Sequence, residues 1–409
     1  MESKKKIYLD YAATTPLDSH VLEAMVEFGK HRVGNASSIH SFGRNVASIV
    51  DEARSVVAGF LHCNFTDIIF TSGATEANNI AIHGLITKYT QRYPDKKPHI
   101  ITTPIEHSSV LEVIKKFEAQ GVIEVSYLTV GSEGVVDSAQ VKSLLRENTL
   151  LVSVMYVNNE IGTVQPIREI GKIVEKFNNA KEREVEIAKM NGTPGELLPL
   201  QRTYFHCDAT QATLYYNCDV LHLHVDMLSF SSHKLYGPTG VGVLYVKSGT
   251  PLDALMQGGD QELALRPGTH NAISIVGMAK AISHITPDFV AEESQRLLSM
   301  RDYVITSLQT LGGVINGSLT DRAPNNIHVA FPGQDAQMLL YKLDAQGFAV
   351  STGSACSSGA SLPSHVITAL GHDTTYANSC IRITIGKGIE MKHLQHFLEI
   401  LRAQLEIRN

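Results

Sequence analysis

Between residues 64 and 247 short apolar runs alternate with stretches of helical periodicity, and this alternation restricts the fold more than any other property of the chain. Ile68–Phe70, His99–Thr102, Val125–Leu128, Thr149–Tyr156, Thr203–His206 and Val225–Phe230 have the length and the β-branched or aromatic content of strands. Between them Ala74–Tyr89, Ser108–Gln120, Ser138–Arg146 and Ile167–Asn178 read as helices. Parallel strands need a crossover of helix length between them, so the pattern predicts an α/β fold with a mostly parallel central sheet. Ligands in such sheets gather beyond the carboxyl ends of the strands.

From about residue 265 the texture changes. Helical patterns at Ala272–Ile285 and Phe289–Leu311 precede strand-like Asn326–Phe331, Ala349–Ser351 and Ile381–Ile385, and a helix over Met391–Ile407 follows. The expected division is a large α/β domain over 16–264 and a smaller α+β domain made of 1–15 with 265–409. At 409 residues the chain is longer than one core usually organises. Residues 179–202 are too long for an ordinary connection and are expected to form a surface insertion with a helical start.

A net charge of -6 gives no footprint for nucleic acid or an anionic membrane surface. No apolar run reaches bilayer length, and the basic start lacks the apolar stretch of a signal peptide, so the expected compartment is the cytoplasm. Cys63, Cys207, Cys218, Cys356 and Cys380 are scattered and never spaced as CxxC, which argues against a disulfide framework and against a zinc site. His222 and His224 would share one face of a strand, but no third ligand is near, and no metal is expected.

Candidate chemistry concentrates where strands end. Ser231-Ser-His-Lys234 forms a short polar loop before Gly237-Pro238. A lysine screened from water there loses part of its charge and can condense with an aldehyde, so Lys234 is a Schiff-base candidate and pyridoxal 5'-phosphate (PLP) the cofactor to test. Surface solvation is the ordinary alternative for such a lysine. Phe70-Thr-Ser-Gly-Ala-Thr75 runs from a strand into a helix whose free N–H groups, with the Thr75 hydroxyl, suit an anion. A helix start capped by Thr75 or Ser72 fits the same residues. Asp208, just past a strand, can keep a pyridine nitrogen protonated or simply cap a helix. Gln211 lies one turn on. His107 opens a helix and faces either a cofactor ring or solvent; Asn159 lies in a turn that is either a carboxylate donor or a plain Asx turn. Cys356 sits among small residues in the 351–361 loop, where a mobile, accessible thiol is the expected state.

Together with Tyr8-Leu-Asp-Tyr-Ala-Ala-Thr-Thr-Pro16, Gly34–His40, Arg266-Pro-Gly-Thr269 and Ile381-Arg382, these segments resemble the cysteine desulfurases of the NifS/IscS kind, which are class V, fold-type I PLP enzymes. The resemblance runs nearly end to end. It implies that Lys234 carries PLP and that Ala74, Thr75, Ser231 and His233 hold its phosphate, with Thr269 reaching in from the second subunit of a homodimer. It further implies Asp208 on the pyridine nitrogen, Gln211 on the phenolic oxygen, and His107 stacked on the ring to assist proton transfer. Asn159 and Arg382 would bind the carboxylate of L-cysteine, and Cys356 would take its sulfur as a persulfide, leaving L-alanine. The implied partner is a sulfur acceptor such as an iron–sulfur scaffold or a sulfur carrier. Selenocysteine lyase, a class V aminotransferase without sulfur transfer, and a weakly active sulfur-transfer platform are the alternatives; Cys356 argues against the second.

Overall fold

A computed structural model of the chain describes residues 6–190, 202–353 and 363–406. A short strand β1 (Ile7–Tyr8) comes first, followed by the strands of the main sheet: β2 (Ile68–Thr71), β3 (His99–Thr102), β4 (Glu124–Tyr127), β5 (Thr149–Ser153), β6 (Tyr204–Asp208), β7 (Met227–Ser231) and β8 (Gly242–Val246). They form one seven-stranded sheet in the order β2-β8-β7-β6-β5-β3-β4. The pairs β3–β4, β3–β5, β5–β6 and β6–β7 are parallel, whereas β8 runs against both β7 and β2. The carboxyl ends of β2, β3, β5, β6 and β7 therefore lie along one edge. Every residue of β2, β3, β5, β7 and β8 is buried, which is why these strands are mostly apolar rather than alternating.

Beyond the sheet, β9 (Val314–Ile315), β10 (Asn326–Ala330), β11 (Phe348–Ala349) and β12 (Cys380–Thr384) complete the strands. β9, β10 and β12 make an antiparallel sheet in the order β12-β10-β9, and β1 pairs in parallel with β11. The start of the chain thus docks on its carboxyl-terminal third. One hydrophobic cluster runs through both regions, from Phe205 and Phe230 in the main sheet to Ile381 and Phe397.

Two helices, Ser19–His31 and Ser41–Leu61, occupy a stretch for which the sequence reading predicts no element. The second buries Val46, Val50, Ala53, Val57 and Leu61, a spacing of three to four residues. The helix expected to end at Asn178 continues to Met190, which takes in the first part of the charged 179–202 segment; residues 191–201 lie outside the described ones. The strand expected around His222 and His224 is instead a four-residue helix, Val220–Leu223, with His224 in the left-handed conformation at φ 57. His224 pairs with Glu175 at 3.1 Å. Among the described residues no His, Cys, Asp and Glu group can hold a metal, and no helix is long and apolar enough to cross a membrane.

Candidate active site

The strand ends converge on a cavity of about 510 Å³. Ala74, Thr75, His107, Asn159, Asp208 and Gln211 line it, as do Ser231, His233, Lys234 and Arg382. Ten of the twelve candidates therefore meet there. Thr269 does not: it is exposed, away from the cavity. Cys356 lies outside the described residues.

The lysine is placed by the beginning of the chain. A 3-10 turn over Ser232–Lys234 ends β7, and Lys234 Nζ donates to the carbonyls of Ala12 and, at 2.6 Å, Ala13. Thr15 binds the same turn through its backbone N–H and its hydroxyl, which donate to the His233 carbonyl at 2.9 and 3.0 Å. Burial, helped by the neighbouring Lys234, pushes His233 down to about 4, so its ring is neutral at pH 7.

At the end of β2 the helix Ala74–Arg92 starts from Gly73 with no side-chain cap. Neither Ser72 nor Thr75 supplies a cap to this first turn. The Ala74 N–H points to Ser231 Oγ at 3.3 Å. Gly242 keeps this corner tight, because a Cβ there would stand 2.7 Å from Gly73 Cα. The N–H groups of this turn, two hydroxyls and a neutral imidazole form an anion cradle, while the Glu76 carboxylate in the same turn is paired with Arg266 at 3.0 Å.

Asp208 ends β6 and is buried. Its Oδ1 accepts the Thr210 N–H at 2.9 Å, a turn-forming bond, while Oδ2 accepts from Asn78 Nδ2 at 2.8 Å. These bonds leave each carboxylate oxygen a second lone pair. Asn78 also donates to Ser109 Oγ at 2.8 Å, and Ser109 Oγ lies 2.8 Å from His107 Nδ1. His107 Nδ1 additionally accepts the Ser109 N–H at 3.1 Å, capping the helix Ser108–Ala119. A nitrogen that accepts carries no proton, so the neutral ring holds its proton on Nε2. Residue spacing gave no hint of Asn78 or Ser109.

Asn158, not Asn159, makes the Asx turn: its Oδ1 accepts from the N–H groups of Glu160 and Ile161. That leaves the Asn159 side chain to the cavity. Arg382, on β12, is already engaged at both of its terminal nitrogens. Its Nη2 lies 2.7 Å from Asp10 and its Nη1 donates to the Asn159 carbonyl at 2.9 Å. Gln211 Nε2 donates to the Ala12 carbonyl at 3.0 Å. Beneath the site, burial pushes the Glu106 carboxyl up to about 8, against the N–H of Met155 and the Thr103 hydroxyl that favour its charged form. It is mostly protonated at pH 7.

The described thiols are poor nucleophiles. Burial holds Cys207 well above the ordinary value and raises Cys63, Cys218 and Cys380 to about 12. Each stays protonated at neutral pH.

A sequence profile of the family described as Aminotransferase class-V matches residues 7–181 and 195–397. The chain is 41% identical over 405 residues to the cysteine desulfurase IscS of Dictyoglomus turgidum, covering 98% of this chain and 95% of that protein. It is 42% identical over 387 residues to the putative cysteine desulfurase IscS 1 of Bacillus subtilis, covering 94% of each. A solved NifS-like protein superposes with a TM-score of 0.86 at 33% identity, covering 98% of this chain and 100% of that one. A structure of SspA in complex with cysteine gives 0.74 at 32% identity, covering 93% and 99%.

Proposed function

The chain belongs to the class-V aminotransferase family, with the cysteine desulfurases of the NifS/IscS kind, and from that premise we propose how its own residues divide the work. The enzyme releases L-alanine from L-cysteine and retains the sulfur. The observation that supports the division best is the convergence of Lys234, Asp208, His107, Arg382 and an uncapped helix start on one cavity.

The donor set fits PLP. The cradle of Ala74, Thr75, Ser231 and neutral His233 suits its phosphate, and the buried Asp208 carboxylate suits a protonated pyridine nitrogen. Thr210 Oγ1, on the cavity wall, is buried without a partner among the described residues and offers a further donor. Gln211 would face the phenolic oxygen and His107 the ring, and Lys234 would hold the aldehyde carbon. Bound there, PLP supplies a sink for the electrons left on Cα when its proton departs.

The protein's own groups do the rest. Arg382 and Asn159 orient the substrate carboxylate. The Lys234 amine would move the proton at Cα, and His107 would handle protons at the cavity through Nε2. The Cys356 thiolate attacks the substrate sulfur, forming an S–S bond as the Cβ–S bond breaks. The electron pair stays with carbon, which is protonated to the methyl group of alanine, and Cys356 keeps the sulfur as a persulfide. That persulfide is the form handed to an acceptor, an iron–sulfur scaffold or a sulfur carrier.

The exposure of Thr269, together with that of Val33, Ile39, Phe42 and Leu263, supports a homodimer in which Thr269 completes the partner's phosphate site. The test is chemical. Purified protein given L-cysteine and a thiol reductant is expected to release alanine and sulfide, and Cys356→Ala to lose sulfide release while keeping the cofactor's absorbance. Unchanged turnover in that variant would overturn the sulfur-transfer step.

A further inference from the structure

Arg382 enters the cavity with its charge already matched. Its side chain is 3% exposed, and that of Asp10, 2.7 Å from Nη2, is 17% exposed. Nη1 is held by the Asn159 carbonyl. Nε is buried and has no hydrogen-bond partner among the described residues, although Arg382 lines the cavity. A carboxylate that approaches this guanidinium has two routes. It takes the edge bearing Nε, next to Asp10, or it replaces Asp10 on Nη2. On either route it meets an arginine that already carries a carboxylate, in a place where water screens poorly.

Asp10 is not needed there to hold its own stretch of chain. The Ala12 N–H donates to Thr384 Oγ1 at 2.9 Å. The Thr384 N–H donates to the Leu9 carbonyl at 2.8 Å. Backbone bonds on both sides of Asp10 thus fix the segment against β12, and the side-chain charge is surplus to that purpose. An asparagine would keep an acceptor on Nη2 without the charge.

We propose that Asp10 is an internal competitor for the carboxylate of substrate and product. It aligns Arg382 before the amino acid arrives and, by neutralising it, keeps the affinity for amino acids below what an unpaired arginine would give. This rests on the reading that Arg382 receives the substrate carboxylate. L-Cysteine and L-alanine share that carboxylate, so Asp10 weakens both by the same factor and favours release of product. Interactions common to substrate and product shift binding without improving the chemical step.

The experiment measures binding to the holoenzyme in wild type and Asp10→Asn, with Asp10→Ser as a second uncharged variant should the first fold poorly. The inhibition constant of L-alanine and the KM for L-cysteine are each expected to fall about tenfold, a factor equivalent to about 1.4 kcal/mol. Inhibition by cysteamine, which has the amine and thiol but no carboxylate, is expected to stay within about twofold. Alanine binding that is unchanged or weaker in both variants would overturn the proposal, as would equal tightening of cysteamine. Arg382→Ala separates the two layers of the argument. Intact alanine binding in that variant removes the underlying reading, whereas its loss, with no effect at Asp10, removes the competitor alone.

Discussion

Two cavities of similar size, about 510 and about 540 Å³, differ in how fully their buried polar atoms are partnered. In the larger one Arg54 forks onto Glu262 at 2.9 and 2.6 Å. Glu262 also accepts from the Phe70 N–H at 2.8 Å and meets His270 Nε2 at 2.7 Å. Arg54 lies 4.6 Å from the centre of the Phe70 ring. The cluster closes on itself, with His270 Nδ1 its one orphan atom among the described residues. In and around the cavity at the strand ends, Arg382 Nε, Asn78 Oδ1, Glu106 Oε2 and Thr210 Oγ1 are all buried without partners among the described residues. Each such atom costs about 1–3 kcal/mol. A closed charge cluster is scaffold, whereas one left open at its centre is set up for something that arrives later.

The sharpest way to break this contrast is Arg54→Met. It strands a buried carboxylate and frees a turn in which Glu262, Leu263 and Ala264 all have positive φ. A loss of about 3–5 kcal/mol in denaturant unfolding is expected, with KM for cysteine unchanged. Burial alone would raise the Glu262 carboxyl, but Arg54 and His270 hold it at about 2. Its contribution is therefore complete above the unfolded value and is lost as pH falls toward 2, so the gap between variant and wild type should narrow below about pH 4 and close toward pH 2. A changed KM at constant stability would place the Arg54 cavity among the working parts of the enzyme.

Glu106→Gln comes next and has the opposite sign. Glu106 is raised to about 8 by burial. Its folded value exceeds the unfolded one, so stability is full below about pH 4 and drains away as pH rises toward 8. Glutamine removes that slope. Unfolding at pH 7 should show a gain on the order of 3 kcal/mol, shrinking to nothing by pH 4. A variant that is less stable at pH 7 would mean that the charged form is the one the fold accommodates.

The smallest effect is expected from Ser109→Ala, which cuts the link from Asn78 to His107 but leaves the backbone cap. Turnover should fall about tenfold with KM within about twofold, as for a group that aligns a proton carrier without binding substrate. A matching loss of stability with normal turnover would assign Ser109 to the scaffold instead.

The strand ends were legible because each carries a local signal. Apolar runs mark β2, β3, β5, β6 and β7, and the polar residues at their carboxyl ends could be named as candidates without knowing which strands were neighbours. What stayed invisible depends on contacts distant in the chain. Asp10 meets Arg382 across 372 positions and Asn78 meets Asp208 across 130. No spacing rule reaches that far. The helix Ser41–Leu61 differs, since its three-to-four-residue apolar period lies within its own sequence.

The anchoring of Lys234 by the carbonyls of Ala12 and Ala13 has a consequence for biosynthesis. A ribosome delivers the first of these partners more than two hundred residues before the lysine, and β11 and β12, against which the amino-terminal strand settles, later still. The leading segment must wait, unpaired, while the main sheet is made. Closing so long a loop is entropically costly and slow, and domains otherwise tend to fold as they emerge. A nascent chain stalled before β12 would therefore have its sheet but not a fastened lysine. Lys234 would gain its anchoring carbonyls only after β12 has been made.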